Sequence, residues 1–264
     1  MEIIGYAAAV LIGVSLGLIG GGGSILTVPV LVYLFGVEAF LATEYSLFIV
    51  GISSLAGSFS YLKKGLVNVK MALIFGIPSV ISIFLTRIYL LPLIPDEVFQ
   101  IQKFTVTKNT FLLLIFAGLM ILASYKMIRI STSKDSLHHT RHKNNALLAA
   151  GQGSIVGILT GLVGAGGGFM IIPALVNLLK IPIKTAIGTS LVIISVNSLI
   201  GFFSSVNHVK IEWKLLVSIT AIAIIGIVIG SQLSKKIEGE KLKPAFGWFI
   251  LVMGIYIITK EIFL

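Results

Sequence analysis

The amino-acid sequence predicts an all-α membrane protein made of two homologous halves with about eight helical segments. Of its 264 residues, 56% are hydrophobic and only 11% are charged, whereas a soluble domain carries charge on about a quarter of its residues. Several apolar runs exceed the roughly 18 residues that a membrane-crossing helix needs. A glycine-rich motif also occurs twice, which indicates an internal duplication. We therefore expect a multi-pass protein of the plasma membrane.

The two copies of the glycine motif extend from Gly17 to Pro29 and from Gly161 to Pro173, a shift of 144 residues. The same shift continues without a gap beyond the glycines and aligns Ser46 with Ser190. Each copy interrupts an apolar run, where a glycine cluster unwinds a helix and frees backbone groups that lipid cannot satisfy. Broken helices at matching places in two halves are the best sequence indication of a transporter's substrate site.

Apolar runs divide each half into one broken segment followed by three spans. The broken segments are 3–35 and 146–179, and the spans are 39–62, 69–91, 109–128, 185–206, 213–234 and 245–263. We predict a first membrane repeat at 1–128, a basic cytoplasmic linker at 129–145 and a second repeat at 146–264, with a polar connection at 92–107. The N-terminus lacks a basic stretch, so no cleaved signal peptide is expected.

The distribution of positive charge favours an inverted arrangement of the halves. If each broken segment crosses the membrane once, the halves are parallel, and the cytoplasmic and outer sides carry 11 and 9 Lys and Arg. If each segment enters and returns, the halves are inverted and the counts become 14 and 6. Because positive residues concentrate on the cytoplasmic side, we predict inverted halves with both termini outside. Most of the net charge of +10 is then topological, and no nucleic-acid partner is expected.

The glycine motifs do not fit a nucleotide site. The Walker pattern requires a lysine that neither copy has, and the dinucleotide fingerprint requires a preceding strand. Pairs of glycines spaced four residues apart, Gly13 with Gly17 and Gly157 with Gly161, are predicted to pack helices closely. The consecutive glycines exceed what packing requires, because each costs about 1 kcal/mol inside a helix.

A helix that restarts after a break can bind a small oxyanion. Its first N–H groups are unpaired, and its dipole presents about half a positive charge there. The predicted restarts are Ser24 and Gly168. Hydroxyl and amide side chains of the following spans could complete the pocket without burying a charge. The alternative for each hydroxyl is a hydrogen bond to its own helix.

The predicted substrate-binding residues are therefore the motif glycines and the best-placed polar side chains. They are Gly20, Gly21, Gly22, Gly23, Ser24, Ser46, Gly164, Gly166, Gly167, Gly168, Thr189, Ser190 and Asn197. Further hydroxyls on the same spans are Ser53, Ser54, Ser58, Ser195 and Ser198.

Apart from Glu261 at the end of the last span, Glu44 is the one acidic residue within a predicted span. It is a candidate for proton coupling, and the alternative is that it reaches the membrane surface near the start of its span. Arg87 lies at a span end, where snorkelling to the surface is favoured over anion binding. A histidine cluster in the linker, His138, His139 and His142, favours a solvated segment over a metal site. We predict no metal and no cofactor, and the absence of cysteine excludes disulfides.

The paired Gly-x-x-Gly-x-Gly-Gly-x(5)-Pro motifs, together with Ala186–Leu191 downstream, resemble the sulfite exporter TauE/SafE family. The resemblance implies a bacterial or archaeal plasma-membrane carrier with duplicated halves and about eight helical segments. It also implies small sulfur-containing anions as substrates, namely sulfite, sulfonates and sulfoacetate. The first half departs from the pattern, because Glu44 stands where the second half has Gly188.

We therefore predict a secondary transporter of small oxyanions that works by alternating access around a site at the membrane midplane. No nucleotide-binding domain is evident, so energy would come from the substrate gradient or from proton or sodium coupling. The main alternative is a passive anion channel with the same site. An intramembrane enzyme is disfavoured because no His or Cys lies in a predicted span. Expected partners are the anion and lipid, and the oligomeric state stays open, a homodimer included.

Overall fold

The protein is almost entirely helical. The computed structural model describes residues 2–21, 23–101, 104–130, 145–178, 181–206, 210–233 and 239–263. In chain order the helices are α1 (Glu2–Ile19), α2 (Ser24–Phe35), α3 (Ala39–Lys63), α4 (Val69–Leu85), α5 (Lys108–Ile130), α6 (Asn145–Val163), α7 (Gly168–Pro173), α8 (Ile183–Ser205), α9 (Trp213–Leu233) and α10 (Gly239–Phe263). Short π-helical turns extend α4 through Thr86–Leu90 and α7 through Ala174–Leu178. The predicted all-α membrane fold is confirmed.

A small antiparallel hairpin lies in the stretch predicted to be a polar connection. Its strands are β1 (Glu97–Ile101) and β2 (Phe104–Thr107). Aromatic and β-branched residues recur in both strands, and these residue types favour extended structure. The predicted linker falls largely outside the described residues, since 131–144 are not described. The three linker histidines, His138, His139 and His142, lie in that stretch.

Six of the described helical segments are long and apolar enough to cross a membrane. They are Ala39–Lys63, Val69–Leu90, Lys108–Tyr125, Ala146–Val163, Ile183–Ser205 and Trp213–Leu233. Large apolar side chains repeat on their outer faces, as Leu73, Ile77 and Ile81 of α4 do, each more than half exposed. Water would disfavour so much exposed apolar surface, whereas the hydrocarbon of a bilayer accepts it. The chain is a multi-pass membrane protein.

Helices α3 and α8 form the centre of the molecule and run antiparallel. Two-thirds of the most apolar stretch of each helix is buried inside the protein, compared with 22–39% of the corresponding stretch in the other four spans. A Cβ atom on Gly51 would lie 3.0 Å from Leu199, and one on Gly57 would lie 3.6 Å from Leu191. Residue numbers thus rise along α3 as they fall along α8, so the two central spans point in opposite directions.

Glycines allow two further helix pairs to approach closely. A Cβ atom on Gly13 would lie 2.1 Å from a carbonyl oxygen of α9, and one on Gly157 would lie 2.3 Å from a carbonyl oxygen of α4. One turn later, Gly17 and Gly161 also leave less than 3 Å for a Cβ atom. The prediction that these four glycines serve helix packing is confirmed.

The broken segment of each half folds back on itself. The rings of Tyr6 near the start of α1 and Phe35 at the end of α2 lie 5.6 Å apart. A Cβ atom on Gly23 would lie 2.5 Å from a carbonyl oxygen of α1. In the second half, a Cβ atom on Gly167 would lie 2.9 Å from Val156 of α6. The chain therefore reverses between α1 and α2, and α7 begins beside α6.

Candidate functional site

The two glycine breaks touch each other through their main chains. A Cβ atom on Gly21 would lie 2.6 Å from the carbonyl carbon and oxygen of Gly168, and one on Gly168 would lie 2.5 Å from Gly21 Cα. All the described residues of both breaks are buried. Only glycine allows this approach, so the sequence of both motifs brings the breaks together inside the molecule. Gly22 lies outside the described residues.

Several glycines of the breaks also have a backbone conformation that other residues avoid. The φ angles are +78° at Gly20, +71° at Gly164, +65° at Gly166 and +68° at Gly167. Positive φ is sterically unfavourable for a residue with a Cβ atom. The left-handed residues let the chain reverse within about four positions, and they explain why glycine is needed there.

Helix α2 begins at Ser24 and helix α7 begins at Gly168, the two predicted restarts. Neither Gly23 nor Gly167, which precede them, provides a side-chain cap. The first N–H groups of both helices consequently have no capping side chain, and the positive ends of both dipoles lie beside the contact between the breaks. The Ser24 hydroxyl is not available to a ligand, because it donates to the Gly21 carbonyl oxygen at 2.8 Å.

Two buried hydroxyls next to the second break have no hydrogen-bond partner among the described residues. A Cβ atom on Gly166 would lie 3.0 Å from Ser198 Oγ, and a Cβ atom on Gly167 would lie 2.2 Å from Thr160 Oγ1. Ser198 is fully buried and Thr160 is 2% exposed. An unpaired buried hydroxyl costs about 1–3 kcal/mol, which a bound ligand would recover.

Other unpartnered polar atoms lie on the two central spans. They belong to Ser46, Ser53 and Ser54 on α3, and to Asn197 on α8. Ser54 precedes Ser198 by 144 residues, and Ser53 precedes Asn197 by the same distance. The Asn197 amide donates to Ser79 Oγ at 2.6 Å, so its oxygen is the atom left over.

Two predicted ligands are already engaged with the protein. Ser190 Oγ is within donor distance of two carbonyl oxygens, that of Ile187 on its own helix at 2.8 Å and that of Gly20 in the first break at 3.2 Å. Thr189 Oγ1 donates to its own helix and accepts from the Asn68 N–H at 2.9 Å, which holds the loop after α3. For Ser58 and Ser195 the alternative of a bond to their own helix is the observed one.

Glu44 and Arg87 form a fully buried ion pair. Arg87 Nη1 donates to Glu44 Oε1, and Ser205 Oγ donates to Glu44 Oε2 at 2.8 Å. Arg87 Nη2 also donates to Thr43 Oγ1 at 3.4 Å. The prediction that Arg87 snorkels to the membrane surface is therefore wrong, because the Glu44 carboxylate compensates the charge of Arg87 inside the protein. Glu44 likewise does not reach the membrane surface.

The ion pair lies beside the second break. A Cβ atom on Gly164 would lie 2.4 Å from Thr43 Cβ, and one on Gly161 would lie 2.8 Å from Thr86 Cβ. Thr43 and Ser205 were not singled out in the sequence, and neither was Thr160. Of these three residues, Thr160 alone could have been found from the sequence, because it is a polar residue in an apolar run one turn before the break.

A cleft of about 230 Å³ lies at the opposite end of α3. Its lining residues are Ala56, Gly57, Ser60, Lys64, Val228, Ser231 and Gln232. A Cβ atom on Gly17 would lie 2.6 Å from the Ser231 nitrogen, so the cleft lies within about one turn of the first break. A narrow crevice beside the second break, between α5, α6 and α7, has no room for a water molecule.

Comparisons with known proteins agree on one family. The family description "Sulfite exporter TauE/SafE" matches residues 5–257. A probable membrane transporter protein of Xylella fastidiosa strain 9a5c is 30% identical, with 98% of this chain and 95% of the relative covered. The probable membrane transporter protein YunE of Bacillus subtilis is 26% identical, with 93% of each chain covered. No solved structure matches the chain.

Proposed function

The chain belongs to the sulfite exporter TauE/SafE family and is a membrane transporter; we propose that it carries a small oxyanion, sulfite or an organosulfonate, between its two glycine breaks. The contact between Gly21 and Gly168 carries the proposal. It brings two uncapped helix starts to one point, where their N–H groups and dipoles favour negative charge.

Unpartnered hydroxyls support an anionic cargo at this point. Ser198 and Thr160 each keep a buried hydroxyl without a partner, next to the glycines that precede α7. A hydroxyl can donate a hydrogen bond to an oxyanion. Because the hydroxyl is neutral, no unpaired charge stays buried at the site after the anion has left.

Antiparallel packing supports inverted halves. Helices α3 and α8 are counterparts in the 144-residue repeat, yet they run in opposite directions. Contacts between the halves are also reciprocal. Gly13 packs against Ala223, and Gly157 packs against Ser79. Gly157 is Gly13 shifted by 144 residues, and Ala223 is Ser79 shifted by the same number. A two-fold axis produces such reciprocal contacts, and an axis in the membrane plane produces the opposite directions.

The direct contact between the breaks supports a gated carrier over an open channel. With Gly21 against Gly168, the main chains leave no space for an anion between them. Cargo can enter only if the halves separate at this contact. Rocking of inverted halves about a central site provides that separation and exposes the site to one side at a time.

Energy coupling is assigned to Glu44, with protons as the coupling ion and sodium as the alternative. Within the described residues, Glu44 faces Arg87 from the turn after α4 and Ser205 from α8. Intramembrane carboxylates that face the protein interior commonly carry protons.

Ligand-induced stabilisation of the purified protein tests the cargo. The melting temperature would be measured against sulfite, sulfate, thiosulfate, sulfonates and carboxylates at fixed ionic strength. Binding to the folded state at 100 times Kd stabilises by about 2.7 kcal/mol. We expect sulfite or a sulfonate to stabilise most, and equal stabilisation by all anions would contradict the proposal. Concentrative, saturable uptake into liposomes is expected of a carrier, whereas purely downhill flux would indicate the channel.

A further inference from the structure

Arg87 has a counterpart in the second half that lines the open cleft. The 144-residue shift aligns Arg87 with Ser231 and Glu44 with Gly188. Ser231 lies in the cleft wall near the first break, whereas Arg87 lies in the buried ion pair beside the second break. We call the end with Ser231 the open end and the end with Arg87 the filled end, because Arg87 is buried in the ion pair whereas Ser231 borders the cleft. Gly188, the counterpart of Glu44, packs against Leu66 and Tyr61 instead of lining the cleft.

Two further residues of the cleft wall have counterparts at the filled end. Gly57 and Ser60 line the cleft, and their counterparts are Gly201 and Ser204. A Cβ atom on Gly201 would lie 3.1 Å from Ile83, and one on Gly57 would lie 2.6 Å from Ile227, so both glycines pack against matching isoleucines and the two ends differ at Arg87 and Ser231. Glu44 and Ser60 are sixteen residues apart on α3, about 24 Å along the helix, so the two ends lie towards opposite faces of the membrane.

We propose that Arg87 is an anion-binding residue of the filled end, and that the Glu44 carboxylate occupies the place of the transported oxyanion there. This inference rests on the proposed function. Arg87 Nη1 and Ser205 Oγ donate to the two oxygens of one carboxylate. A guanidinium binds carboxylates and other oxyanions through the same N–H geometry, so an incoming oxyanion can take the carboxylate's place.

The exchange explains how the filled end can open. Glu44 on α3, Arg87 after α4 and Ser205 on α8 tie together elements from both halves. Separating a buried pair without replacement would leave an uncompensated charge inside the protein, which is strongly unfavourable. An oxyanion that replaces Glu44 keeps Arg87 compensated, and the displaced Glu44 carboxylate is neutralised by the proton that the proposed coupling brings to it. Opening at this end is therefore linked to the arrival of the anion.

Cysteine accessibility tests the inference directly, because the chain contains no cysteine. The single variants Ser60→Cys and Ser204→Cys place a thiol at matched positions of the open and filled ends. Each would be labelled with a polar thiol reagent in leaky liposomes that give access to both faces. We expect fast labelling at Ser60→Cys and slow labelling at Ser204→Cys. Adding Glu44→Gln should speed labelling at Ser204→Cys by about tenfold, a shift of about 1.4 kcal/mol in the opening equilibrium.

Sulfite binding provides the second measurement. Glu44→Gln removes the competing carboxylate and should tighten sulfite binding, and Glu44→Gln with Arg87→Gln should abolish that gain. Glu38→Gln removes an exposed carboxylate before α3 and serves as the control, with no change expected. Ser205→Ala keeps both charges and should give a smaller effect in the same direction, even if Glu44→Gln folds poorly.

The outcomes separate this inference from the proposed function. Sulfite binding by the wild type with no gain in Glu44→Gln, or unchanged labelling of Ser204→Cys in Glu44→Gln and Ser205→Ala, would overturn the role of Arg87 alone. No sulfite binding by any variant, the wild type included, would overturn both proposals.

Discussion

Buried hydroxyls at the site fall into two groups, those bonded to their own helix and those without a partner. Ser195 Oγ donates to the Val192 carbonyl oxygen at 2.8 Å, whereas Ser198 Oγ on the same helix has no partner among the described residues. Both serines are at most 1% exposed. Spacing along α8 does not distinguish them, because the side-chain rotamer decides which hydroxyl bonds its own helix.

Ser198→Ala is expected to weaken sulfite binding without loss of stability. Removing an unpaired buried hydroxyl leaves the free energy of unfolding unchanged or raises it. A hydrogen bond to a charged ligand contributes about 1.5–3 kcal/mol, so the affinity should fall by about tenfold to a hundredfold. Calorimetric titration with sulfite measures the change. Ser195→Ala is the matched control, and equal affinity in the two variants would remove Ser198 from the site.

Glu44→Gln is expected to abolish the dependence of uptake on a proton gradient. A glutamine cannot exchange a proton, so the coupling assigned to Glu44 would be lost. The measurement is sulfite uptake into liposomes with and without an imposed pH difference. Glu38→Gln should keep the wild-type dependence. If Glu44→Gln responds to the gradient as the wild type does, the coupling residue lies elsewhere.

The sequence predicted the importance of the glycines but not the pairing of charges. Consecutive glycines in an apolar run have few explanations, so Gly20, Gly21 and Gly164 could be named without coordinates. Arg87 was assigned to the membrane surface because it ends a span. Its partner Glu44 is 43 residues away in sequence, and no local pattern indicates that the two meet.

Among the elements, the contact between the breaks is the most sensitive to added volume. Gly21→Ala would place a methyl group 2.6 Å from Gly168 and force the breaks apart. We expect loss of transport while the protein still inserts into the membrane. Gly118→Ala on α5 is the control, because nothing lies within 4 Å of its Cβ position and alanine favours the helix by about 1 kcal/mol. Normal transport by Gly21→Ala would contradict the role of the contact.

The close packing of α6 on α4 gives a prediction about stability. Gly157→Ala would bring a methyl group within 2.3 Å of the Ser79 carbonyl oxygen, and helix separation should lower the melting temperature. The expected cost is about 1–3 kcal/mol, as for other overpacked interiors. Gly151→Ala on the same helix has open space and should not destabilise. A thermal melt of both variants decides, and equal melting temperatures would contradict the packing argument.

The sequence predicts where the long helices begin and end, but it does not predict how they pack. The span predicted at 109–128 is Lys108–Ile130, because a long apolar run marks its own ends. The hairpin of β1 and β2 was missed, since short strands in a polar connection give little signal. The contact of Tyr6 with Phe35 shows that α2 returns alongside α1, and the amino-acid composition does not predict this contact.

For the whole molecule, the inverted arrangement predicts on which side two matching loops lie. Lys64 follows α3 and Lys210 follows α8, and both residues are exposed. Inverted halves place Lys64 inside and Lys210 outside, whereas parallel halves place both inside. Lys64→Cys and Lys210→Cys would be treated in intact cells with an impermeant thiol reagent. We expect labelling of Lys210→Cys alone, and protection of both would indicate parallel halves.

Under the proposed alternating access, the open cleft and the buried ion pair would correspond to a state that is accessible from one side. Lys64 and Ser231 line an opening near the first break, while Glu44 and Arg87 fill the matching position near the second. Gly21 and Gly168 are in contact between the two glycine breaks. Alternating access requires such an asymmetry, because a carrier exposes its site to one side at a time.

The position of a bound anion tests the central claim most directly. Crystals of the protein soaked in selenite, the selenium analogue of sulfite, would be measured at the selenium absorption edge. The account predicts an anomalous peak between the two breaks, with its oxygens within hydrogen-bond reach of Ser198 Oγ and the first N–H groups of α2 or α7. Selenite bound only at surface lysines, with both breaks still in contact and no anion between them, would contradict it.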